Sequence, residues 1–195
     1  MAFKLDIGIA GGKESANLSL KLIASTTREI KGVTISPYNK QELVYGSQIG
    51  VINGTREIMG SQFGGLNWAD DSVYGFQLGA GNIVGEKVYG SQFGGVNIVK
   101  EEIYGSQSGI LNIAGDSKGS QFGWMNIALE TICGSQIGIA NGAVESRGNQ
   151  IGAINYTDKS IYGSQSGILN VAGDSKGSQF GGLNIALRGN LKISS

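Results

Sequence analysis

The sequence from Tyr104 to Leu129 reads YGSQSGILNIAGDSKGSQFGWMNIAL, and the sequence from Tyr162 to Leu187 reads YGSQSGILNVAGDSKGSQFGGLNIAL. The two blocks start 58 residues apart. They differ at three places, namely Ile113/Val171, Trp124/Gly182 and Met125/Leu183. A block that is duplicated with so little change contacts mainly its neighbours along the chain, and this property is typical of a solenoid.

Each block contains two copies of the octet Gly-x-Gln-x-Gly-x-x-Asn, which occurs ten times in the 195-residue chain. Successive copies start 14 or 15 residues apart, and the first glycines are Gly46, Gly60, Gly75, Gly90, Gly105, Gly119, Gly134, Gly148, Gly163 and Gly177. The glutamines are Gln48, Gln62, Gln77, Gln92, Gln107, Gln121, Gln136, Gln150, Gln165 and Gln179. The asparagines are Asn53, Asn67, Asn82, Asn97, Asn112, Asn126, Asn141, Asn155, Asn170 and Asn184. These invariant columns indicate a tandem repeat with one short unit per copy.

The residues around each octet predict an all-β chain, because bulky positions such as Val73, Tyr74 and Phe93 favour strands and no window shows a helical period. Two architectures fit: a single β-solenoid of about ten 14–15-residue coils, and an up-and-down meander or barrel with one strand per unit. We favour the solenoid, because stacked coils bring each Gln and Asn about 4.8 Å from a like neighbour, where amides form continuous ladders. Glycine at several central positions would also weaken a long barrel strand.

Degenerate sequence at both ends predicts capping strands. Phe3–Ile9 and Leu18–Leu22 alternate with period two around a double glycine, as the strands of a hairpin would. The first coil of the solenoid is itself degenerate, with Thr34 in place of Gln. The chain therefore divides into N-terminal capping strands, the repeat solenoid and a C-terminal capping strand, at residues 1–31, 32–187 and 188–195.

The tandem octets resemble those of spirochaete-type bacterial surface-repeat proteins, and the resemblance covers Gly32–Asn184. A weaker likeness is to the curli amyloid subunits, whose Gln-x-Gly-x-x-Asn-x-Ala matches Gln62–Ala69. The curli likeness implies that Gln62 and Asn67 point inward and form structural ladders. The first likeness implies a cell-surface or extracellular location, although Met1–Gly12 lacks the apolar core of a secretory signal, so the compartment stays open.

Composition excludes several functions. The 15 basic and 15 acidic residues balance, so no net charge attracts nucleic acid or anionic lipid. The chain has no histidine, the commonest general base and metal ligand, and its single cysteine, Cys133, is expected to be an inert thiol. No stretch approaches the roughly 18 apolar residues of a membrane helix. We therefore predict no enzyme, no catalytic or metal-binding residues, no cofactor, no nucleic-acid partner and no transmembrane segment.

Several repeating columns have two interpretations. The Gln and Asn columns could form an exposed binding array, but internal ladders that satisfy buried amides are the simpler expectation. A tyrosine column that includes Tyr74 and Tyr89 could stack sugars or bases, although packing between neighbouring rings is simpler. A serine column that includes Ser61 offers regularly spaced hydroxyls like those of ice-binding solenoids. Paired carboxylates such as Asp70–Asp71 fall in turns, where they solubilise the chain.

We expect a non-enzymatic structural or interaction protein, a scaffold or surface-display solenoid prone to self-association. Simple alternation puts Phe63 and Leu66 on opposite faces of the coil, and both can lie inside only if the strand parity reverses at the double glycine between them. Without that reversal an apolar face is exposed, which favours association with a second copy or another protein. The alternative is a ligand-binding solenoid that presents a flat repetitive face to glycan or ice.

Overall fold

The computed structural model describes residues 5–8, 15–21 and 24–188, which form strands, turns and bends without a helix. None of these residues therefore belongs to a helix long and apolar enough to cross a bilayer. The chain divides into two compact units, residues 1–97 and residues 98–195. Each unit is a parallel β-solenoid, and the chain makes about 12 turns in all.

Unit 1 is built from strands of 2 to 12 residues, and the longer ones contain both the Asn position of one copy and the Gln position of the next. Its strands are β1 (Leu5–Gly8), β2 (Ser15–Lys21), β3 (Ala24–Ser25), β4 (Glu29–Ile35), β5 (Tyr38–Ile49), β6 (Ile52–Phe63), β7 (Leu66–Ala69), β8 (Val73–Leu78) and β9 (Gly81–Val84). The long strand β10 (Lys87–Ser117) begins in unit 1 and ends in unit 2.

Unit 2 is built from coils of the same kind. Its further strands are β11 (Ser120–Ile132), β12 (Gln136–Ile137), β13 (Ala140–Ser146), β14 (Gln150–Ile151), β15 (Ile154–Ile161), β16 (Ser164–Ser175) and β17 (Ser178–Arg188). Several of these strands run through a whole coil without a break, since the extended backbone bends at the glycines.

Neighbouring coils pair in parallel and in the register that the repeat predicts. In unit 1, Gln48 pairs with Gln62 and Asn53 with Asn67. In unit 2, β10 and β11 align Gln107 with Gln121 in the same way. All pairings of the described strands are parallel, which excludes the up-and-down meander and confirms the solenoid.

The N-terminal strands are further coils of the stack, not the hairpin that their sequence predicts. β1 pairs in parallel with β2, with Leu5 beside Leu18, and β2 pairs in parallel with β4. These extra coils explain why the chain makes about 12 turns where ten octets predict about ten. An ion pair between Lys21 and Asp6, 2.8 Å long and largely buried, lies in this first part of unit 1. The predicted C-terminal strand lies outside the described residues except for Arg188.

The core of each unit lies between the two sides of the coil. Four columns fill it: the residue two before each octet, the Gln, the Asn, and a small residue two after the Asn. In unit 1 the first column is aliphatic throughout, with Ile30, Val44, Ile58, Val73 and Val88. In unit 2 it alternates between isoleucine and serine, as Ile103, Ser117, Ile132, Ser146, Ile161 and Ser175. Amides therefore occupy a large share of an interior that would ordinarily be apolar.

Candidate functional site

The invariant amides of the octets lie inside the coils. All ten glutamines and the asparagines from Asn53 to Asn170 are buried, and Asn184, in the last described coil, is half-buried. Burial of an amide without a partner costs free energy, so such side chains must find hydrogen bonds inside the fold. The structure thus places the predicted ladder residues where they hold the coil together, away from any external ligand.

The asparagines form a ladder that donates forward along the chain. In unit 1, Nδ2 of Asn53 donates to Oδ1 of Asn67 at 2.9 Å, and Asn67 donates to Asn82 at 2.9 Å. In unit 2, Asn112 donates to Asn126 at 2.8 Å in the same direction. The second hydrogen of each amide donates to a main-chain carbonyl of the following coil, as from Asn53 to Phe63 at 2.8 Å. Because a carbonyl can only accept, this bond fixes which end of the amide faces forward.

The glutamines form a second ladder, which donates in the opposite direction. In unit 1, Nε2 of Gln62 donates back to Oε1 of Gln48 at 2.6 Å, and Gln92 donates back to Gln77 at 2.7 Å. In unit 2, Gln136 donates back to Gln121 at 2.8 Å. The second hydrogen donates within the same coil, as from Gln136 to the carbonyl of Gly142 at 3.0 Å. The side-chain dipoles of the two ladders therefore oppose each other within each unit.

Gln41 completes the glutamine ladder in the degenerate coil of unit 1 that precedes the first octet. Thr34 stands in the Gln column there, and its hydroxyl is too short to reach Gln48; instead it donates to Asn39 at 2.9 Å. Gln41 enters from the other side of the same coil, and its Oε1 accepts a hydrogen bond from Nε2 of Gln48. The amide missing from one side of the coil is thus supplied by the other side. A glutamine two residues after the octet Asn position is the sequence signal for this replacement.

The alternation of inward and outward residues does reverse between the Gln and the Asn of each octet. The reversal buries the amides and exposes the apolar residues between them. Gln62 and Asn67 are five residues apart and both buried, so the reversal puts both amides inside. Their neighbours Phe63 and Leu66 then both point outward, with 36% and 49% of their surface exposed. A reversal is necessary to put both apolar residues inside the coil, but here it puts both of them outside. An exposed apolar surface exists because of the reversal.

The outward residues concentrate where the coil turns between its two sides, at the fourth to seventh octet positions, which we name the arch. Exposed apolar residues of the arch in unit 1 are Ile49, Val51, Phe63, Leu66, Leu78, Phe93 and Val96. Those in unit 2 are Ile110, Phe122, Trp124, Met125, Ile137, Ile139, Ile151, Ile154, Ile168, Phe180 and Leu183. Since the octets contain no charged residue, the arch of each unit is an uncharged apolar ridge.

The opposite edge of the coil carries the charges, and these pair with one another. In unit 2, Lys118 contacts Glu102 at 3.1 Å and also donates to the hydroxyl of Tyr104 at 2.7 Å. Hydrogen bonds to Tyr104 and to Glu102 raise the pKa of Lys118 above its ordinary value. A hydrogen bond from Tyr156 to Asp158 likewise raises the pKa of the Tyr156 phenol. Both groups are exposed, and the raised pKa means that each holds its proton more firmly than an isolated side chain would.

The tyrosine column mostly contacts its own neighbours. Tyr74 and Tyr89 stack in unit 1 with ring centroids 4.9 Å apart and an interplanar angle of 6°. In unit 2, the ammonium of Lys118 lies 4.5 Å from the centre of the Tyr104 ring, and Lys176 lies 4.8 Å from that of Tyr162. These contacts occupy ring faces that a sugar or base would need. They support packing as the role of this column.

The described residues offer little of what a metal or small-molecule site needs. Its residues include no group of three or more Cys, Asp or Glu side chains that could hold a metal ion. An open groove of about 470 Å³ in unit 2 is lined by Asp158, Lys159, Asp174 and Arg188, among others, and mixes both charge signs. Cys133 is exposed and is not part of a disulfide.

Comparison with family models, with curated proteins and with solved structures gives no match.

Proposed function

We propose that this chain is a non-enzymatic structural protein that assembles with further copies of itself through the apolar arch. The observation that carries the proposal is the distribution of polar and apolar side chains. Amides fill the core, while phenylalanine, isoleucine, leucine and tryptophan line the exposed arch. The resemblance of the repeat to bacterial surface-repeat proteins agrees with such a scaffold role.

The size of the ridge supports an interface. The eleven arch residues of unit 2 are 39% to 72% exposed, and side chains of this size present about 150–250 Å² when free. Together they expose on the order of 1,000 Å², whereas the largest apolar patch of an ordinary monomer is about 300–600 Å². A stable interface needs about 800 Å² from each partner. The ridge of unit 2 alone therefore suffices for one.

A second copy suits the ridge better than a lipid surface does. Membrane-binding faces combine apolar residues with flanking lysine or arginine, and the octets carry no charge at all. The apolar columns repeat at the spacing of the coils, about 4.8 Å, and a partner built from the same coils has the same spacing.

Sedimentation velocity on the whole chain, from micromolar to millimolar concentration, tests the proposal. We expect a monomer that gives way to a dimer or larger species as the concentration rises. The triple variant Ile110→Lys, Ile139→Lys and Ile168→Lys should shift this equilibrium to monomer while circular dichroism stays that of the parent. The matched control changes three exposed charges of the opposite edge, Glu86→Gln, Glu101→Gln and Lys159→Gln, and should leave association unchanged. A parent chain that is monomeric throughout, or a triple variant that associates as well as the parent, refutes the proposal.

A further inference from the structure

In unit 2, five successive octets are arranged evenly about one central coil, and a sixth, Gly177–Asn184, follows them. Identical octets, Gly105–Asn112 and Gly163–Asn170, lie two coils before and two coils after the coil Gly134–Asn141. The coils between them start at Gly119 and Gly148. Because neighbouring coils pair in register, the arch residues form straight columns, as in the pairs Met125–Ala140 and Ala140–Ile154. The coil of Ile139 is therefore the midpoint between the two identical octets.

Three columns of arch residues run through these five coils. The fourth octet positions are Ser108, Phe122, Ile137, Ile151 and Ser166. The sixth positions are Ile110, Trp124, Ile139, Ala153 and Ile168. The seventh positions are Leu111, Met125, Ala140, Ile154 and Leu169. In each column the outer pair is identical and the inner pair differs. At the sixth position the inner pair joins Trp124, the largest residue of the ridge, with the small Ala153.

We propose that two copies of the chain pair arch to arch through unit 2, antiparallel, with a two-fold axis passing through the coil of Ile139. This inference rests on the proposed function and specifies its interface. A two-fold axis across the ridge reverses the order of the coils and leaves each column facing its own column. Ile139 then meets Ile139 of the second copy, Ile110 meets Ile168, and Trp124 meets Ala153.

Packing density favours this arrangement over a parallel one. Apolar interfaces are as close-packed as protein interiors, so a bulky side chain needs a cavity opposite it. In the antiparallel dimer Trp124, 66% exposed, inserts above the small Ala153 on both sides of the axis. In a parallel dimer in register, Trp124 would collide with Trp124, and Ala153 would face Ala153 across a void. Tryptophan in such a pocket is the typical residue of high binding energy.

The duplicated block shows that Trp124 is not needed for folding. At the equivalent place in the later block stands Gly182, in an octet of otherwise nearly identical sequence. A Cβ added at Gly182 would contact one neighbouring atom, the carbonyl oxygen of Ile168 at 3.3 Å, and this coil forms without a side chain at that place. Substitutions of Trp124 therefore report on association with little effect on the fold.

A swap of the two residues tests the geometry. Trp124→Ala removes the bulky group and Ala153→Trp fills the cavity, and each single variant should weaken the dimer about thirtyfold or more. The double variant, Trp124→Ala with Ala153→Trp, exchanges the two across the axis and should return the dissociation constant to within a few-fold of the parent. Thermal melts of the diluted monomers verify that all three variants fold. A double variant as weak as the two single losses combined overturns the antiparallel pairing.

Cross-linking provides an independent measurement, in a Cys133→Ser background. Ile139→Cys lies beside the axis and should form a disulfide-linked dimer, since paired Cα atoms must come within about 7 Å. Ile110→Cys alone should not cross-link, but an equal mixture with the Ile168→Cys chain should. Self-cross-linking of Ile110→Cys would indicate parallel copies and refute this inference. A parent chain that stays monomeric would instead refute the proposed function, whereas an associating parent whose association Trp124→Ala leaves unchanged refutes the interface alone.

Discussion

Asn126 donates its amide hydrogen to Asn141, one coil further along unit 2, at 2.9 Å. It accepts another from Asn112, one coil back, at 2.8 Å, and gives its second hydrogen to the carbonyl of Ile137 at 3.0 Å. Every polar atom of this buried side chain is thereby satisfied. The loss of one asparagine therefore removes one hydrogen bond from each of its two neighbours in the column.

We expect Asn126→Leu to destabilise the chain by roughly 2–5 kcal/mol, because two buried amide groups and one carbonyl lose a partner where water cannot enter. Asn184→Leu is the matched control. Asn184 accepts from Asn170 at 2.7 Å but is only half-buried, so water can replace its partners and the loss should be about 1 kcal/mol. Denaturant unfolding measures both variants. Equal losses at the two sites would mean that burial in the ladder contributes nothing.

The glutamine ladder predicts a pH-dependent variant. In Gln136→Glu, a carboxylate oxygen replaces Nε2 and faces two acceptors, Oε1 of Gln121 and the carbonyl of Gly142. Burial and these oxygens favour the protonated acid and raise the pKa of Glu in the folded chain above its unfolded value of about 4.3. The acid therefore contributes its stability fully below about pH 4, and this contribution is lost as the pH rises through the folded pKa.

Relative to the parent at each pH, Gln136→Glu should be at least about 2 kcal/mol less stable at pH 8 than at pH 4. Gln136→Met, which loses the same hydrogen bonds but does not titrate, is the control and should show a constant deficit. Urea unfolding across this pH range gives the comparison. A Glu variant whose deficit does not grow with pH contradicts the ladder at this position.

The first glycine of the octet is a position where a larger residue should destabilise the fold. Gly60 in unit 1 has a φ of +148°, and a Cβ there would overlap the carbonyl oxygen of Gly46 in the preceding coil. We expect Gly60→Ala to cost about 3 kcal/mol or more, because both the backbone and its neighbour must move.

The control for this substitution is Gly142→Ala in unit 2, where a Cβ would meet nothing within 4 Å. Alanine there restricts the unfolded chain, so the variant should be unchanged or more stable by about 0.4–1 kcal/mol. Thermal melting of the two variants distinguishes them. Similar melting temperatures would show that close approach of the coils does not select glycine at Gly60.

The repeat itself predicts the solenoid and its ladders, since an invariant Gln and an invariant Asn in every copy have a common physical cause in stacked amides. It does not predict which way the apolar residues face. Phe63 and Leu66 sit on either side of a glycine pair, and only the backbone path through that turn decides whether they or Gln62 and Asn67 lie inside. Alternation by twos gives no information across such a turn.

Two other features could not be predicted from the sequence, because they depend on contacts between residues far apart in the chain. Gln41 supplies the amide that Thr34 lacks, from a position that elsewhere holds a small residue. The strands Leu5–Gly8 and Ser15–Lys21 alternate as hairpin strands do, and a double glycine between them suits a tight turn, yet they pair in parallel. Period-two alternation is the same for both kinds of pairing, so it cannot distinguish them.

The amide-filled interior affects how the free energy of unfolding depends on temperature. Unfolding of ordinary domains raises the heat capacity by about 12–15 cal/mol/K per residue, because it hydrates apolar surface, and newly exposed polar surface lowers that increment. In both units much of the apolar surface already faces outward and the interior releases Gln and Asn. The increment per residue for the isolated chain should therefore fall below the ordinary range, which flattens the curve of stability against temperature and makes the coil resistant to cold as well as to heat.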